Sequence, residues 1–186
     1  RTSYITRQML SFHRSMEKPV ATYMPDLMDD VIEMYGPVIG RKGITVRKDY
    51  EGGCVIAAIP AELTQVFANL LRNAIEAVEL RGMIRIRVRH ARDWRRPERS
   101  GVRVIVADSG RGIDAEVSSK IFDPFFTTKG ESGTGLGLWV GLGIVQKREG
   151  AMRFKSSTKA GRSGTVFSVF LPSQTESIVV ADSGKA

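Results

Sequence analysis

The sequence predicts an α+β domain in which helices cover one face of a mixed β-sheet. Segments with apolar residues three and four positions apart, typical of amphipathic helices, alternate with segments in which every second residue is apolar, typical of half-buried strands. These segments lack the regular strand-helix-strand order of parallel α/β proteins, which favours the α+β class. The 186 residues suffice for one ordinary domain with a modest attached element.

The first quarter of the chain predicts two helices joined by a linker. Residues 1 to 18 have a narrow apolar stripe formed by Ile5, Met9, Phe12 and Met16. Pro19 cannot continue that helix, so Lys18 to Pro25 is predicted to be a linker. Pro25 suits the first turn of a second helix, which Gly36-Pro37 should end or kink.

The next segments predict a hairpin followed by a long helix. Two strands, Ile44 to Lys48 and Cys54 to Ile59, flank the turn residues Glu51-Gly-Gly53. Pro60 opens the helix, which should end near Gly82. Its core face is predicted to consist of Leu63, Val66, Phe67, Leu70, Leu71, Ala74 and Val78.

The second half predicts strands at Met83 to His90 and Val102 to Ala107, then a short helix at Ala115 to Lys120. A stretch rich in Gly, Ser and Thr, Thr127 to Gly135, is predicted to be a mobile lid. The remaining predicted elements are a helix from Leu136 to Gln146, a hairpin of strands Met152 to Ser157 and Thr165 to Leu171, and a polar tail beyond Pro172.

The formal net charge of +8 raises the question of nucleic-acid binding. Arg85, Arg87 and Arg89 alternate with apolar residues, which predicts that they lie on the solvated face of a strand, and no recognised nucleic-acid module accompanies them. We therefore expect no nucleic-acid partner.

No apolar run approaches the roughly 20 residues that span a bilayer. The single Cys54 excludes an internal disulfide, favours a reducing compartment and is interpreted as a small apolar strand residue.

Two asparagines on the long helix are candidate metal ligands. Asn69 and Asn73 are four residues apart, so both amides project from the same face. An amide oxygen is a hard neutral ligand that suits Mg²⁺, which is usually completed by water and substrate phosphates. The alternative is a pair of ordinary polar surface residues.

Asp108 is a candidate adenine-binding residue. It ends an apolar strand, and Gly110 and Gly112 follow it in a tight turn. Its carboxylate can accept a hydrogen bond from an exocyclic amine while glycine backbone lies against a base, which favours adenine over guanine. The alternative is an aspartate that only initiates the turn.

A glycine-rich loop at Gly133, Gly135 and Gly137 leads into a predicted helix N-terminus, where free N–H groups and the helix dipole attract phosphate. Lys129 could add a positive charge. The pattern lacks the Gly-Lys-Ser/Thr ending of a P-loop. It is weak alone, but together with the Asn and Asp clusters it indicates an ATP site.

In their order and spacing, four clusters resemble the catalytic, ATP-binding half of sensor histidine kinases, within the wider family of gyrase, Hsp90 and MutL ATPases. They are Asn69 to Asn73, Asp108 to Ile113, Asp123 to Lys129 and Gly133 to Leu138. The resemblance covers roughly Pro25 to Pro172. It implies the Bergerat ATP-binding fold, a two-layer α/β sandwich, with ATP and Mg²⁺ as ligands.

The resemblance also implies roles for individual residues. Asn73 would be the Mg²⁺ ligand and Asn69 a neighbour of phosphate or magnesium, and both would share catalytic work with Lys129. Asp108 would select adenine, and Thr165 would help it through a water molecule. The other implied ATP-binding residues are Gly110, Gly112, Ile113, Thr128, Gly133, Thr134, Gly135, Leu136, Gly137 and Leu138.

A histidine kinase of this kind would pass the γ-phosphoryl group of Mg-ATP to a histidine, and then to an aspartate on a response-regulator receiver domain. Residues 1 to 20 resemble the second helix of the dimerisation and phosphotransfer domain, residues 21 to 172 the catalytic domain, and residues 173 to 186 a tail. The acceptor histidine is expected before Arg1, because Arg14 follows His13 where the family motif has Glu or Asp. The resemblance implies a cytoplasmic fragment of a longer chain that forms homodimers through the helical hairpin.

Other functions remain open at this level. A gyrase- or MutL-like ATP hydrolase would carry a glutamate base where this chain has Asn69, whereas a non-catalytic module would sense ATP or dock a partner. A serine kinase of the anti-sigma type shares the pocket. The forms of the last two motifs resemble the nitrogen-regulator subtype of histidine kinases. The chain departs from the family pattern at two places. Glu76 stands where many kinases have a basic residue, and Arg148-Glu149-Gly150 replaces His-Gly-Gly, which is expected only to alter a turn.

Overall fold

The computed structural model of the chain describes residues 18–130 and 133–173. Residues 1 to 17 of the helix predicted over residues 1 to 18, with His13, lie outside the described residues, as do residues 174 to 186 of the tail. Glu131 and Ser132 of the predicted lid also lie outside them. Among the described residues, no helix is long and apolar enough to cross a membrane.

Five helices and seven strands make up the described part of the chain. The helices are α1 (Met24–Met34), α2 (Gly36–Lys42), α3 (Pro60–Ala77), α4 (Ala115–Ser118) and α5 (Gly137–Lys147). The strands are β1 (Val20–Tyr23), β2 (Thr45–Tyr50), β3 (Val55–Ala58), β4 (Met83–Arg92), β5 (Ser100–Asp108), β6 (Ala151–Ser157) and β7 (Gly164–Pro172).

The main sheet has five strands in the order β2-β4-β5-β7-β6. Strand β2 runs parallel to β4, whereas the other three neighbouring pairs are antiparallel, so the sheet is mixed. Strands β1 and β3 form a separate antiparallel pair. The predicted hairpin of the last two strands is confirmed as β6 and β7.

In the described part of the chain, the helices pack on one face of this sheet. Ile84, Ile86 and Val88 of β4 are fully buried on the helical side. Arg85 between them is exposed and Arg87 is half-buried, because successive side chains of a strand point to opposite faces. The predicted α+β class, the two-layer arrangement and the solvated arginine face are confirmed.

Helix α3 is the centre of the helical layer. Pro60 lies in its first turn, where a missing N–H costs no helical hydrogen bond, and Leu63 and Phe67 are completely buried. It packs against α1, α5 and β5. The helix ends at Ala77, earlier than the predicted Gly82, because Val78 has extended backbone angles. The fully buried side of α3 therefore faces both the sheet and the neighbouring helices.

The predicted hairpin between Ile44 and Ile59 is wrong. Strand β2 pairs with β4, with Thr45 opposite Met83, and β3 pairs with β1, with Val20 opposite Ala58. The predicted linker from Lys18 to Pro25 is also wrong, since it contains β1. The turn between β2 and β3 would permit a hairpin. Instead, β2 joins the main sheet through β4, and β3 forms the separate two-stranded sheet with β1.

The prediction for the second helix is confirmed at both ends. Pro25 lies in the first turn of α1, and α1 stops at Met34 before α2 restarts at Gly36. A proline interrupts the hydrogen-bond ladder of a continuing helix but is tolerated in a first turn. Gly36-Pro37 therefore divides one predicted helix into two.

Candidate functional site

A cavity of about 500 Å³ opens between the end of α3, the segment after β5, the first turn of α5 and strand β7. This volume lies within the range of about 300–1,000 Å³ that small-molecule sites occupy. Most predicted site residues line it: Asn73, Asp108, Gly112, Ile113, Thr128, Lys129, Gly133, Thr134, Gly135, Gly137, Leu138 and Thr165. Asn69, Gly110 and Leu136 lie behind the wall rather than in it.

Asp108 stands at the last position of β5, on the cavity wall. Its Oδ1 accepts hydrogen bonds from the backbone N–H of Gly110 at 2.8 Å and of Thr165 at 3.3 Å. Burial raises the pKa of this carboxyl above its ordinary value, although the two N–H groups act in the opposite direction. Within the described residues Oδ2 has no hydrogen-bond partner, so Asp108 can accept a hydrogen bond from a ligand.

The glycines after Asp108 allow the β5-α4 loop to lie close to the backbone of neighbouring segments. Gly112 has φ of +80°, and a Cβ there would lie 2.1 Å from the carbonyl oxygen of Ser157. A Cβ on Gly110 would lie 2.5 Å from the carbonyl oxygen of Ala77. A side chain at either position would clash with this neighbouring backbone, so the β5-α4 loop keeps its place beside the cavity only with glycine at both positions.

Ser156 of β6 is a residue of this region that the sequence analysis missed. Its Oγ accepts from the backbone N–H of Ile113 at 2.7 Å, lies 2.9 Å from the carbonyl oxygen of Gly164, and lies 2.9 Å from Oγ1 of Thr165. It does not line the cavity but joins the β5-α4 loop to the start of β7. A signal existed, because Ser156 is a polar residue in the alternating series that begins with Met152 and Phe154.

Asn73 and Lys129 come together on the opposite wall. The side-chain amide oxygen of Asn73 accepts a hydrogen bond from Nζ of Lys129 at 2.9 Å, and the same ammonium group forms an ion pair with Glu76. Glu76 also lies 3.9 Å from the guanidinium Nε of Arg72, one helical turn earlier. The amide oxygen predicted to bind Mg²⁺ thus already lies against a positive charge, which shows that this corner accommodates a cation.

Asn69 has a different environment from Asn73. It is 6% exposed, and its Nδ2 donates a hydrogen bond to the carbonyl oxygen of Gly137 at 3.2 Å. Gly137 is the first residue of α5, and a Cβ there would lie 3.3 Å from the Asn69 amide. Asn69 therefore fixes the start of α5 against α3, and its amide group is directed at protein backbone.

The glycine-rich loop leads into the N-terminus of α5, as predicted. Gly137 and Leu138, the first two residues of α5, line the cavity. The first N–H groups of a helix have no partner within the helix, and the helix dipole adds partial positive charge there. Together with Lys129, this end of the cavity suits an anionic group such as phosphate.

The polar groups of the cavity fit ATP and its expected metal ion, with the groups suited to adenine and those suited to phosphate and metal in separate places. A hydrogen-bond acceptor, Asp108, stands beside glycine backbone, whereas cationic and N–H groups stand at α5. No group of three or more His, Cys, Asp or Glu in the described ranges could hold a metal ion. The neutral oxygen of Asn73 fits Mg²⁺ that is completed by phosphate oxygens and water.

Comparisons with known proteins agree with this site. The family described as histidine kinase-, DNA gyrase B-, and HSP90-like ATPase matches residues 58–175. Sensor histidine kinase ZraS of Klebsiella oxytoca is 42% identical over 119 residues, which are 64% of this chain and 24% of ZraS. Sensor kinase CckA of Brucella abortus is 35% identical over 187 residues, covering 92% of this chain and 19% of CckA.

Solved structures show the same architecture. The catalytic domain of histidine kinase ThkA is 29% identical, with a TM-score of 0.70, and the match covers 84% of this chain and 99% of that domain. A structure of ThkA in complex with response regulator protein TrrA matches 93% of this chain and 47% of the solved chain, with a TM-score of 0.72 and 26% identity.

The family match includes α3, β5, the glycine-rich loop and β7, each of which contributes residues to the cavity wall. The chain spans only 24% of ZraS and 19% of CckA, so it corresponds to one part of these relatives. The match of 58–175 covers more than half of the 186 residues. The chain belongs to the family of histidine kinase-, DNA gyrase B- and HSP90-like ATPases.

Proposed function

We propose that this chain is the ATP-binding catalytic part of a two-component sensor histidine kinase. The observation that carries the proposal is the polarity of the cavity. One end presents the carboxylate of Asp108, a hydrogen-bond acceptor, and the other end presents the N-terminus of α5 with Lys129. An adenine amine fits the first end and a phosphate chain fits the second, so the two ends orient one molecule of ATP.

In this proposal Asn73 holds Mg²⁺ through its amide oxygen, and Lys129 contributes positive charge near the phosphates. The metal, when bound, neutralises phosphate charge during transfer. The ammonium group of Lys129 contacts Asn73 at 2.9 Å in this structure, so binding of Mg-ATP requires Lys129 to exchange this contact for a phosphate oxygen. Thr128 and the neighbouring glycines would then close over the phosphates as the predicted lid.

Transfer is favoured over hydrolysis by the residue at position 69. An amide cannot remove a proton from water, and the amide of Asn69 already donates to Gly137. The cavity wall does contain Glu76, but that carboxylate is paired with Lys129. Catalysis would therefore rest on positioning and charge neutralisation, which is sufficient for phosphoryl transfer to a correctly placed side chain.

The acceptor in this proposal is a histidine outside this chain, and the final acceptor is an aspartate of a response regulator. ThkA, with a catalytic domain of the same fold, has been solved in complex with a response regulator protein, which supports such a partner. Residues 1 to 20 would belong to the helical hairpin that forms the homodimer. The cytoplasm is the proposed location, and the nitrogen-regulator subtype follows from the forms of the last two motifs.

The first test is calorimetric titration of the whole 186-residue chain with a non-hydrolysable ATP analogue, with and without Mg²⁺. Asp108→Asn should weaken binding by at least about tenfold, since a hydrogen bond to a charged group contributes about 1.5–3 kcal/mol. Asp26→Asn, an exposed change on α1, is the matched control and should bind like the parent. Equal affinity of the parent and Asp108→Asn would refute the proposed adenine site.

The second test separates kinase from hydrolase and from a binding module. The chain is incubated with γ-labelled Mg-ATP and a separate two-helix domain that carries an acceptor histidine, and label is followed on protein and as free phosphate. Acid-labile label on the helical domain, lost when its histidine is replaced, supports the kinase. Free phosphate alone would support a hydrolase, and nucleotide binding without either product would support a sensing module.

A further inference from the structure

We propose that Ser156 is a positioning residue that sets the hydrogen-bond polarity of the adenine site, by forcing the hydroxyl of Thr165 to present only lone pairs to the ligand. The inference rests on the proposed function, because it concerns how the same cavity distinguishes an amino-purine from an oxo-purine. Ser156 itself lies behind the cavity wall, and Thr165 is in the wall.

The position of each hydrogen follows from the number of donors and acceptors. Ser156 has one hydroxyl hydrogen and can accept two hydrogen bonds. Its Oγ has three neighbours at hydrogen-bond distance: Ile113 N at 2.7 Å, Gly164 O at 2.9 Å and Thr165 Oγ1 at 2.9 Å. A carbonyl oxygen only accepts and an N–H only donates, so the hydrogen of Ser156 points to Gly164 while Ile113 fills one lone pair.

The remaining lone pair of Ser156 can only be filled by the hydrogen of Thr165. This assignment satisfies all three contacts, whereas donation from Ser156 to Thr165 would leave the Gly164 contact without a hydrogen. Thr165 is 3% exposed and lines the cavity, so bulk solvent hardly competes with Ser156 for the hydroxyl hydrogen. The hydroxyl of Thr165 therefore acts as a donor toward Ser156 and as an acceptor toward the cavity.

Two acceptors then belong to the same part of the cavity wall, because Asp108 and Thr165 both line the cavity and are paired across β5 and β7. Oδ1 of Asp108 is occupied by the N–H groups of Gly110 and Thr165, which leaves Oδ2 for a ligand. The lone pairs of Thr165 Oγ1 are the second acceptor. A ligand or bridging water must donate to both, so the 6-amino group of adenine is favoured and the 6-carbonyl group of hypoxanthine or guanine meets two acceptors.

The loss of Ser156 has a specific consequence. In Ser156→Ala the hydroxyl of Thr165 loses its acceptor and becomes free to rotate and donate into the cavity. An oxo-purine can then accept from Thr165, directly or through water, so discrimination between the bases should fall. A residue with a merely structural role would weaken both nucleotides alike and leave their ratio unchanged.

The experiment measures dissociation constants of the whole chain for ADP and for inosine diphosphate, which differ in the group at position 6. The parent should prefer ADP, and Ser156→Ala should reduce that preference at least about fivefold, the equivalent of one hydrogen bond. Ser156→Thr, which keeps the hydroxyl, should retain the preference. Ser100→Ala, an exposed serine at the other end of β5, is the control and should match the parent.

Two variants of Thr165 keep the inference testable if Ser156→Ala does not melt cooperatively. Thr165→Ser keeps the acceptor and should keep the preference for ADP, whereas Thr165→Val should reduce it. The double variant Ser156→Ala/Thr165→Val should keep the same preference for ADP over inosine diphosphate as Thr165→Val alone, because both changes act on one hydroxyl.

The outcomes separate this inference from the proposed function. Failure of the parent to bind ADP would overturn the proposed function. If the parent prefers ADP and Ser156→Ala keeps the full preference, only the inference about Ser156 is overturned. Equal preference in Thr165→Ser and Thr165→Val would overturn it in the same way.

Discussion

At the scale of single residues, the two asparagines of α3 are alike in sequence and differ in environment. Asn69 is 6% exposed and bound to the backbone of Gly137, whereas Asn73 lines the cavity and contacts Lys129. Spacing of four residues predicts a shared helix face, but it does not reveal that the first turn of α5 covers one of the two amides. The two residues should therefore differ in their effects on stability and on ligand binding.

Asn69→Ala should lower the free energy of unfolding by about 0.5–1.5 kcal/mol, because the change removes a buried hydrogen bond that joins α3 to α5. Asn73→Ala should change it by about 0.5 kcal/mol or less, as expected at a partly exposed site, while Mg²⁺ ceases to strengthen nucleotide binding. Urea denaturation and calorimetry with and without Mg²⁺ measure these effects. Equal loss of stability in the two variants would contradict the distinction.

The buried carboxyl of Asp108 predicts a pH dependence of stability. Burial raises its pKa in the folded chain, so the folded state holds a proton at pH values where the unfolded chain has released it. The contribution of Asp108 to the free energy of unfolding is therefore fully present below its ordinary pKa and is lost as the pH rises through the raised pKa.

Asp108→Asn removes this titration. The variant should gain stability relative to the parent as the pH rises above the ordinary aspartate value of 3.8, with a slope of at most about 1.4 kcal/mol per pH unit. Urea denaturation of both proteins between pH 4 and pH 7 measures the difference. A difference that stays constant, or that shrinks with rising pH, would contradict the raised pKa.

At the scale of elements, Arg148 links the end of α5 to the start of α3. Its guanidinium donates to Glu62 at 3.1 and 3.2 Å and to the backbone carbonyl of Ala57 at 3.2 Å. The side chain is only 11% exposed. From the sequence, Arg148-Glu149-Gly150 was expected only to alter a turn, and this contact shows that the arginine also joins three elements: α5, α3 and β3.

Arg148→Ala should lower the free energy of unfolding by about 1.5–3 kcal/mol, because it removes hydrogen bonds to a largely buried carboxylate. Lys147 is a matched control within the same chain. It contacts the same Glu62 at 3.0 Å, but its side chain is 58% exposed. Lys147→Ala should therefore cost about 0.5 kcal/mol or less. Similar losses in the two variants, measured by urea denaturation, would mean that burial does not strengthen the Arg148 pair.

Local patterns predicted those elements whose partners are near in sequence. Three- and four-residue spacing predicted α3, and two-residue alternation predicted β4, β5 and the β6-β7 hairpin. The pairing of β2 and β3 was predicted wrongly, because their partners are about 32 to 38 residues away in sequence and no local pattern identifies them. Val20–Tyr23 was missed since four residues before a proline are too few to show alternation.

In the candidate site too, local sequence patterns were predictable and contacts between distant segments were not. Its motif residues were predicted because their types and order are distinctive, and the structure brings twelve of them into one cavity wall. Ser156 and Arg148 were not predicted as contacts, because each acts through atoms of segments distant in sequence or through backbone groups. A contact with a backbone carbonyl, such as that between Ser156 and Gly164, depends on the fold and not on the type of the partner residue.

At the scale of the whole molecule, the main sheet separates two surfaces of different chemistry. The cavity and the main apolar core lie on the helical side, and the opposite face presents the arginines of β4 together with the aromatic pair Trp94 and Phe170. Asp49 of β2 forms ion pairs with Arg87, at 2.9 Å, and with Arg89. This partial neutralisation interrupts the row of positive charges, in keeping with the expectation that no nucleic acid binds here, which stays a prediction.

The strand order has a consequence for self-association. Among residues 18–130 and 133–173, β2 and β6 are the outermost strands of the main sheet, with backbone groups unpaired on one side. Exposed strand edges can template intermolecular β-sheet and aggregation, and charged side chains oppose this. Arg47 and Lys48 are exposed on β2, as are Arg153 and Lys155 on β6. Both edges carry charge of the same sign, so two copies that meet edge to edge repel each other.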